Sequence, residues 1–427
     1  MKKIKIGKYT LESLTKGLYR DALVIYREYI QNSLDSIDKY KTINSDFKGT
    51  ISIKVDKNNH NISITDDGYG VPADDAFDIL TSIGKSNKEK GMDRGFRGIG
   101  RLAGLAYCDK LVFTTSCDGE RKAAKLEINS TNLMHSLYLD TDEELIDVLD
   151  RNLHFSIIDE LEDSHYFKVE LMSINDNGKK DILNTDKIIN YIAEYLPVPL
   201  NLERFTFGNE VMKYANENTL PYRFYNIKVN EQQVYKKYSD NFIVGQSGVS
   251  IDNVSKLSTG FLKNTQGEYI AWYWFTESNY LGTLYDSSIK GFRLKSKGIG
   301  VGDKLTLNSV FKEGRFNGWL QGEVHILDTN IIPNSSREDF ESNDAYNSFK
   351  QLFEEVADSI SNDIRKASIV RNASAIKSAK PTNSDLVVRL DKYIDSISEI
   401  RKQEIEMQLK EELDESIVNI VMEIIRQ

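Results

Sequence analysis

The chain has 427 residues, 40% hydrophobic and 28% charged, which suits two or three soluble globular domains with real cores. A net charge of −10 excludes a chain coated for non-specific nucleic-acid binding, though not a local basic groove. No run approaches 18 apolar residues, so no membrane span is expected, and the N-terminus lacks the long apolar core of a secretory signal. Two cysteines, Cys108 and Cys117, without CxxC spacing exclude a disulfide framework, argue against structural zinc, and fit a reducing, cytoplasmic setting.

Residues 10–40 read as helical, with Gly17 a break between a short and a long helix. Within YREYIQNSLDSIDKY (26–40), Glu28, Asn32 and Asp35 fall at i, i+4 and i+7, on one helical stripe. Taken alone, that stripe is an ordinary solvated face. Residues 50–66 predict a hairpin of two alternating strands around Lys57-Asn58-Asn59-His60. Residues 74–82 predict a short helix. A long loop follows, GKSNKEKGMDRGFRGIGR (84–101), dense in glycine and basic residues, and it leads into the apolar helix LAGLAY. Such loops inside compact domains are usually functional.

Further strands are expected at 109–116, 122–128 and 166–172, and a helix at 184–195, ending at LPVPL (196–200). These elements divide the chain into domains at 1–198 and 199–378, and a helical segment at 382–427. The middle part holds the strands YIAWYWF (269–275) and GEVHILD (322–328) and turns helical from about 346 to 375. The last segment spaces Leu386, Leu390, Tyr393, Ile397 and Ile400 by four and three, as in a short coiled coil or a helical hairpin.

Two local motifs mislead. Gly84-Lys85-Ser86 resembles the end of a P-loop, but the required earlier glycine is Ile79. Gly68-Tyr69-Gly70-Val71-Pro72-Ala73 mimics a dinucleotide fingerprint, yet Pro72 and the acids Asp74 and Asp75 suit a turn. The five histidines show no metal-ligand spacing, and no GxSxG nucleophile signature occurs.

The remaining pieces combine. Asp66, at the end of a buried strand, can accept a hydrogen bond from an exocyclic amine such as adenine N6. Gly68 and Gly70 let the backbone pass close to a flat base. Gly95, Gly98 and Gly100, with Ile99 between the last two, can aim backbone N–H groups at phosphates. The Asn32 amide oxygen suits Mg²⁺, and Glu28 one turn away can orient or deprotonate an attacking water.

In this order and spacing, the motifs resemble the GHKL ATPases, which include gyrase B, heat-shock-90 chaperones, histidine kinases and MutL. Glu28-xxx-Asn32-xx-Asp35 is similar to their N-box, Asp66-x-Gly68-x-Gly70 to their DxGxG box, and Gly95-xx-Gly98-x-Gly100 to their GxxGxG box. The resemblance covers residues 10–172. It implies a two-layer α/β sandwich, with helices on one face of a mixed sheet, and ATP with Mg²⁺ held under a mobile lid. TSIGKSNKE (81–89) resembles the lid start of heat-shock-90 proteins, which gives Lys85 a place near the phosphates. IIPNSSREDFE (331–341) resembles the middle-domain segment carrying their catalytic arginine, here Arg337, so the second domain is expected to be α/β as well. The second domain also resembles bacterial relatives of the MORC ATPases.

Two positions depart from the family pattern. The strand that often carries a ligand-contacting Gly-Thr reads His165-Tyr166-Phe167-Lys168-Val169, and a glutamine often found after the arginine is Glu341. The resemblance implies an ATP hydrolase whose N-terminal domains dimerise on ATP as a clamp, with a protein client or nucleic acid and no membrane partner. The alternatives are a nucleotide-gated DNA-associated protein through Lys85, Lys88, Lys90, Arg94, Arg97 and Arg101, and an interaction protein without hydrolysis. A histidine kinase is disfavoured, since no histidine precedes Glu28.

Overall fold

The computed structural model describes residues 21–84, 94, 98–138, 144–245, 248 and 250–377, with side chains through residue 371. The expectations for residues 1–20, Lys85, Lys88, Lys90, Gly95, Arg97 and the segment 382–427 lie outside the described residues.

Two mixed sheets organise the chain, and the first is built from alternating runs. In β1 (Thr50–Asp56) Ile51, Ile53 and Val55 point inward, and in β2 (Asn61–Asp66) Ile62 and Ile64 do the same. The same alternation carries Asp66 onto the core side, where it is 1% exposed. The sheet adds β3 (Cys108–Ser116), β4 (Lys122–Asn129), β5 (Leu153–Asp159), β6 (Tyr166–Ile174), β7 (Asn226–Val229) and β8 (Gln232–Gln233). Its order is β5-β4-β3-β6-β2-β1-β7-β8, antiparallel except where β7 lies parallel to β1. The sheet therefore reaches well past residue 198 in sequence.

One face of this sheet is covered by helices. These include α1 (Val24–Lys41), α2 (Ala73–Thr81), a 3-10 helix at Gly100–Ala106, α3 (Ser130–Tyr138), α4 (Leu145–Asn152), α5 (Asp176–Ile182) and α6 (Thr185–Tyr195). The opposite face displays charge, with Lys168 paired to Glu170 and Lys125 to Glu127. Helix α1 lies in the core through Ile25, Tyr26, Tyr29, Ile30, Leu34 and Ile37, and Lys39 and Lys41 in its last turn suit the helix dipole. LAGLAY takes a 3-10 rather than an α course, with Gly104 pressed on the Tyr29 hydroxyl.

After α7 (Gly208–Glu217) the second sheet forms from β9 (Asn241–Val244), β10 (Ser250–Lys263), β11 (Tyr269–Ser278), β12 (Gly291–Ser296), β13 (Ile299–Val301) and β14 (Gln321–Ile326), in the order β13-β12-β14-β11-β10-β9. One of its faces packs on α8 (Asp344–Lys377) through Phe349, Phe353, Ala357, Ile360 and Ile364. The other buries Trp272 and Trp274 with Phe205 and residues of α7. Among the described residues no helix is long and apolar enough to cross a membrane.

Candidate functional site

Helix α1 meets the end of β2 at the turn Asp66-Asp67-Gly68-Tyr69-Gly70. The Asp66 Oδ1 accepts the Gly68 N–H at 3.0 Å, while Oδ2 is buried with no hydrogen-bond partner. Burial pushes this carboxyl up to about 7, opposed by the Gly68 amide and by the nearby Ser33 and Ser36 hydroxyls. The turn is tied to α1: Tyr69 N–H donates to the Ser36 carbonyl at 3.1 Å and Gly70 N–H to the Ser36 hydroxyl at 3.2 Å.

The two glycines of this turn answer packing needs. Gly70 takes φ +71°, and a Cβ there would stand 2.0 Å from the Ser116 carbonyl oxygen. At Gly68 the close neighbours are Ser36 and Ile37 of α1. On the far side, His165 Nδ1 lies 2.8 Å from the Gly68 carbonyl, and its ring stacks on Tyr40 at 4.2 Å. Phe167, in the strand that departs from the family pattern, pairs directly with Asp66 across β2 and β6.

The third glycine motif reaches the same helix from another side. Gly98 has φ +67°, Ile99 precedes the 3-10 helix, and Gly100 opens it. The Gly100 backbone lies against Glu28, so that a Cβ there would stand 2.3 Å from Glu28 Oε2. Tyr29 fixes this approach: its hydroxyl donates to the Arg101 carbonyl at 3.1 Å and accepts the Gly104 N–H at 2.9 Å. Glu28 is 9% exposed, and Asn32 and Asp35 are half-buried. The fold thus brings Glu28, Asn32, Asp66 and the Gly98–Gly100 segment onto the surroundings of one helix. Among the described residues no three His, Cys, Asp or Glu side chains gather as a metal centre.

Asp35 and Arg337 sit in a second set of contacts that the sequence did not announce. Arg94 Nη1 bonds Asp35 Oδ1 at 3.1 Å and Asp38 Oδ2 at 2.7 Å, its Nη2 reaches the Tyr225 hydroxyl at 2.8 Å, and its Nε donates to the Lys297 carbonyl at 3.2 Å. Burial works against the Arg94 cation, but its anionic surroundings raise its pKa on balance. A residue named in the sequence only as one of the basic groups that could meet DNA here ties α1 to the second sheet's β12–β13 turn.

Arg337 is 9% exposed with φ +56°, a left-handed backbone rare for a long side chain, and its guanidinium donates to the Arg94 carbonyl. Its loop is held on α1 by Arg27, whose Nη2 donates to the Ser336 carbonyl at 2.8 Å and whose Nε lies 3.5 Å from Glu28 Oε1. Arg27 was missed because one arginine on an apolar stretch of helix carries no signal by spacing. The available hint was its place beside Glu28.

A helix-lined mixed sheet, a buried aspartate at a strand end and a glycine turn beside an acid-bearing helix make an α/β sandwich with a candidate ligand site. Residues 22–156 match the family model described as histidine kinase-, DNA gyrase B-, and HSP90-like ATPase. Residues 22–156 therefore resemble a GHKL ATPase domain. The chain is also similar to the chaperone protein HtpG of Sulfurovum sp. (strain NBC37-1), 26% identical over 141 residues, 28% of this chain and 23% of that protein. HtpG of Rickettsia typhi is 28% identical over 160 residues, 33% of this chain and 25% of that protein. HtpG of Rickettsia rickettsii (strain Sheila Smith) is 30% identical over 140 residues, 28% of this chain and 22% of that protein. These matches span about a quarter of the length of the curated relatives.

Proposed function

We propose that the chain binds ATP with Mg²⁺ beside α1, hydrolyses it, and uses the nucleotide to close two copies into a clamp with chaperone-like remodelling activity. The observation that carries this reading is the Asp66 carboxylate, buried with one oxygen unpartnered, beside a turn tied to the helix that carries Glu28. An unpartnered buried acceptor is costly, and an exocyclic amine is the group that would relieve it. The residues present therefore fit an adenine nucleotide.

Each role follows from position. Asp66 accepts from the base amine. The Gly70 turn, locked by Ser36 and Ser116, gives the base a fixed edge. The backbone N–H groups of Gly98, Ile99 and Gly100 serve the phosphates, a role that Gly95 and Lys85 share by resemblance to the family's motifs. Asn32 offers its amide oxygen to Mg²⁺, which would neutralise phosphate charge. Glu28, held between Gly100 and Arg27, orients the attacking water and takes its proton. Arg337 exchanges the Arg94 carbonyl for developing phosphate charge when the second domain closes. Asp35, clasped by Arg94, positions α1 for that closure.

The free, buried cysteines Cys108 and Cys117 support a reducing, cytoplasmic setting. The clamp reading is tested by sedimentation of Glu28→Ala with Mg-ATP, with ADP and without nucleotide. A dimer with Mg-ATP alone is expected. An unchanged sedimentation coefficient in all three conditions would overturn it.

A further inference from the structure

Two segments of the second domain converge on one residue of the basic loop. The β12–β13 hairpin turns through Lys297 and Gly298, and just past its end the Gly302 N–H donates to the Arg337 carbonyl at 2.9 Å. Hairpin and arginine loop are thereby joined. Arg94 holds the pair at two points. Its Nε donates to the Lys297 carbonyl at 3.2 Å, and its own carbonyl accepts from the Arg337 guanidinium.

The remaining guanidinium nitrogens of Arg94 are fixed on the other side. Nη1 meets Asp35 at 3.1 Å and Asp38 at 2.7 Å, two carboxylates one turn apart on α1. Nη2 donates to the Tyr225 hydroxyl at 2.8 Å, and that hydroxyl donates to Asp38 at 2.6 Å. Tyr225 is 2% exposed and leads into β7, with its N–H on the Pro197 carbonyl at 2.9 Å. A planar guanidinium serves these divergent acceptors at once, and a lysine ammonium cannot.

In sequence Arg94 immediately precedes Gly95, where the motif assigned to the phosphates begins. The carbonyl that receives Arg337 is therefore one peptide bond from that motif. An arginine that must reach phosphate needs its approach fixed, since small displacements of a catalytic group are costly. We propose that Arg94 is a positioning residue, acting through its carbonyl to bring Arg337 to the phosphate end of the site, with Asp38 and Tyr225 as its anchors. This role rests on the ATPase reading and adds to it the group that places the arginine.

The test is a double-mutant cycle on the full chain, read by steady-state hydrolysis of Mg-ATP and by calorimetric ATP binding. Arg94→Lys keeps the charge and loses the fork. It should lower kcat roughly tenfold with KM and ATP affinity unchanged. In an Arg337→Ala background the same substitution should lower kcat no further, because the residue through which it acts is gone. Tyr225→Phe removes one anchor and keeps the ring; it should lower kcat by about threefold with the same non-additivity, and it decides if Arg94→Lys fails to fold. Losses that multiply in the double variant, an unchanged kcat, or a raised KM in place of a lowered kcat would overturn the proposal. Wild type that hydrolyses no ATP sinks the ATPase reading and this role together. Multiplying losses in a hydrolysing enzyme sink this role alone.

Discussion

Arg27 on α1 and Ser336 in the second domain's loop are joined by a single 2.8 Å hydrogen bond, from a guanidinium to a backbone carbonyl. Because Arg27 also borders Glu28 and Ser336 precedes Arg337, this bond links the helix of the proposed base to the loop of the proposed phosphate arginine. Arg27→Met keeps the packing volume and removes the bond, which is worth about 1.5–3 kcal/mol when charged and buried. The expected outcome is a turnover reduced roughly tenfold or more, with nucleotide affinity nearly intact. Steady-state hydrolysis and calorimetric binding measure the two separately; loss of affinity without loss of turnover would refute the role.

Arg337 makes the complementary case. Its left-handed backbone and buried guanidinium are sustained by the loop, with the Gly302 N–H on its carbonyl at 2.9 Å. Arg337→Ala should lower turnover by about 10³-fold, in the range of arginines that stabilise phosphoryl-transfer charge, while calorimetry finds ATP binding unchanged.

Gly100→Ala places a methyl group where Glu28 Oε2 now lies, at 2.3 Å. The carboxylate is the movable partner, so the cost falls on the position of the base rather than on the fold. Turnover should fall by roughly 10- to 100-fold with little change in melting midpoint, since small displacements of a catalytic group are costly. Unaltered turnover would mean that Glu28 does not act from this position.

Asp66 links binding to pH. Burial pushes its carboxyl up to about 7, so the folded chain holds this proton more tightly than the unfolded chain, where aspartate titrates near about 3.9. The stability from that difference is fully present below about pH 3.9 and is lost as pH rises through about 7, on the order of 4 kcal/mol at most. Asp66→Asn removes this slope. It should melt higher than wild type at pH 8, yet bind nucleotide roughly 10- to 100-fold more weakly. Melting curves between pH 5 and 8, paired with binding titrations, check both halves.

The parts of this site legible in the sequence are those set by local periodicity. The i, i+4, i+7 spacing of Glu28, Asn32 and Asp35 placed them on α1, and the alternation of Ile62, Ile64 and Asp66 turned a carboxylate towards the core. What stayed hidden depends on partners distant in the chain. The β7 strand is four residues long, too short to show a period, and it reaches the first sheet only by lying parallel to β1. Arg94 read as one more cation in a basic loop, because its partners Asp35, Asp38, Tyr225 and Lys297 come from three separate stretches. The 3-10 course of residues 100–106 follows from Tyr29 gripping the Gly104 backbone, a tertiary contact that apolar composition does not encode.

The most direct test compares wild type and Glu28→Ala for Mg-ATP binding and for phosphate release on the same preparations. The account predicts equal affinity, with turnover in the wild type and a loss of about 10²- to 10⁴-fold in the variant. Wild-type protein that binds no ATP, or a variant that hydrolyses at the wild-type rate, would contradict it.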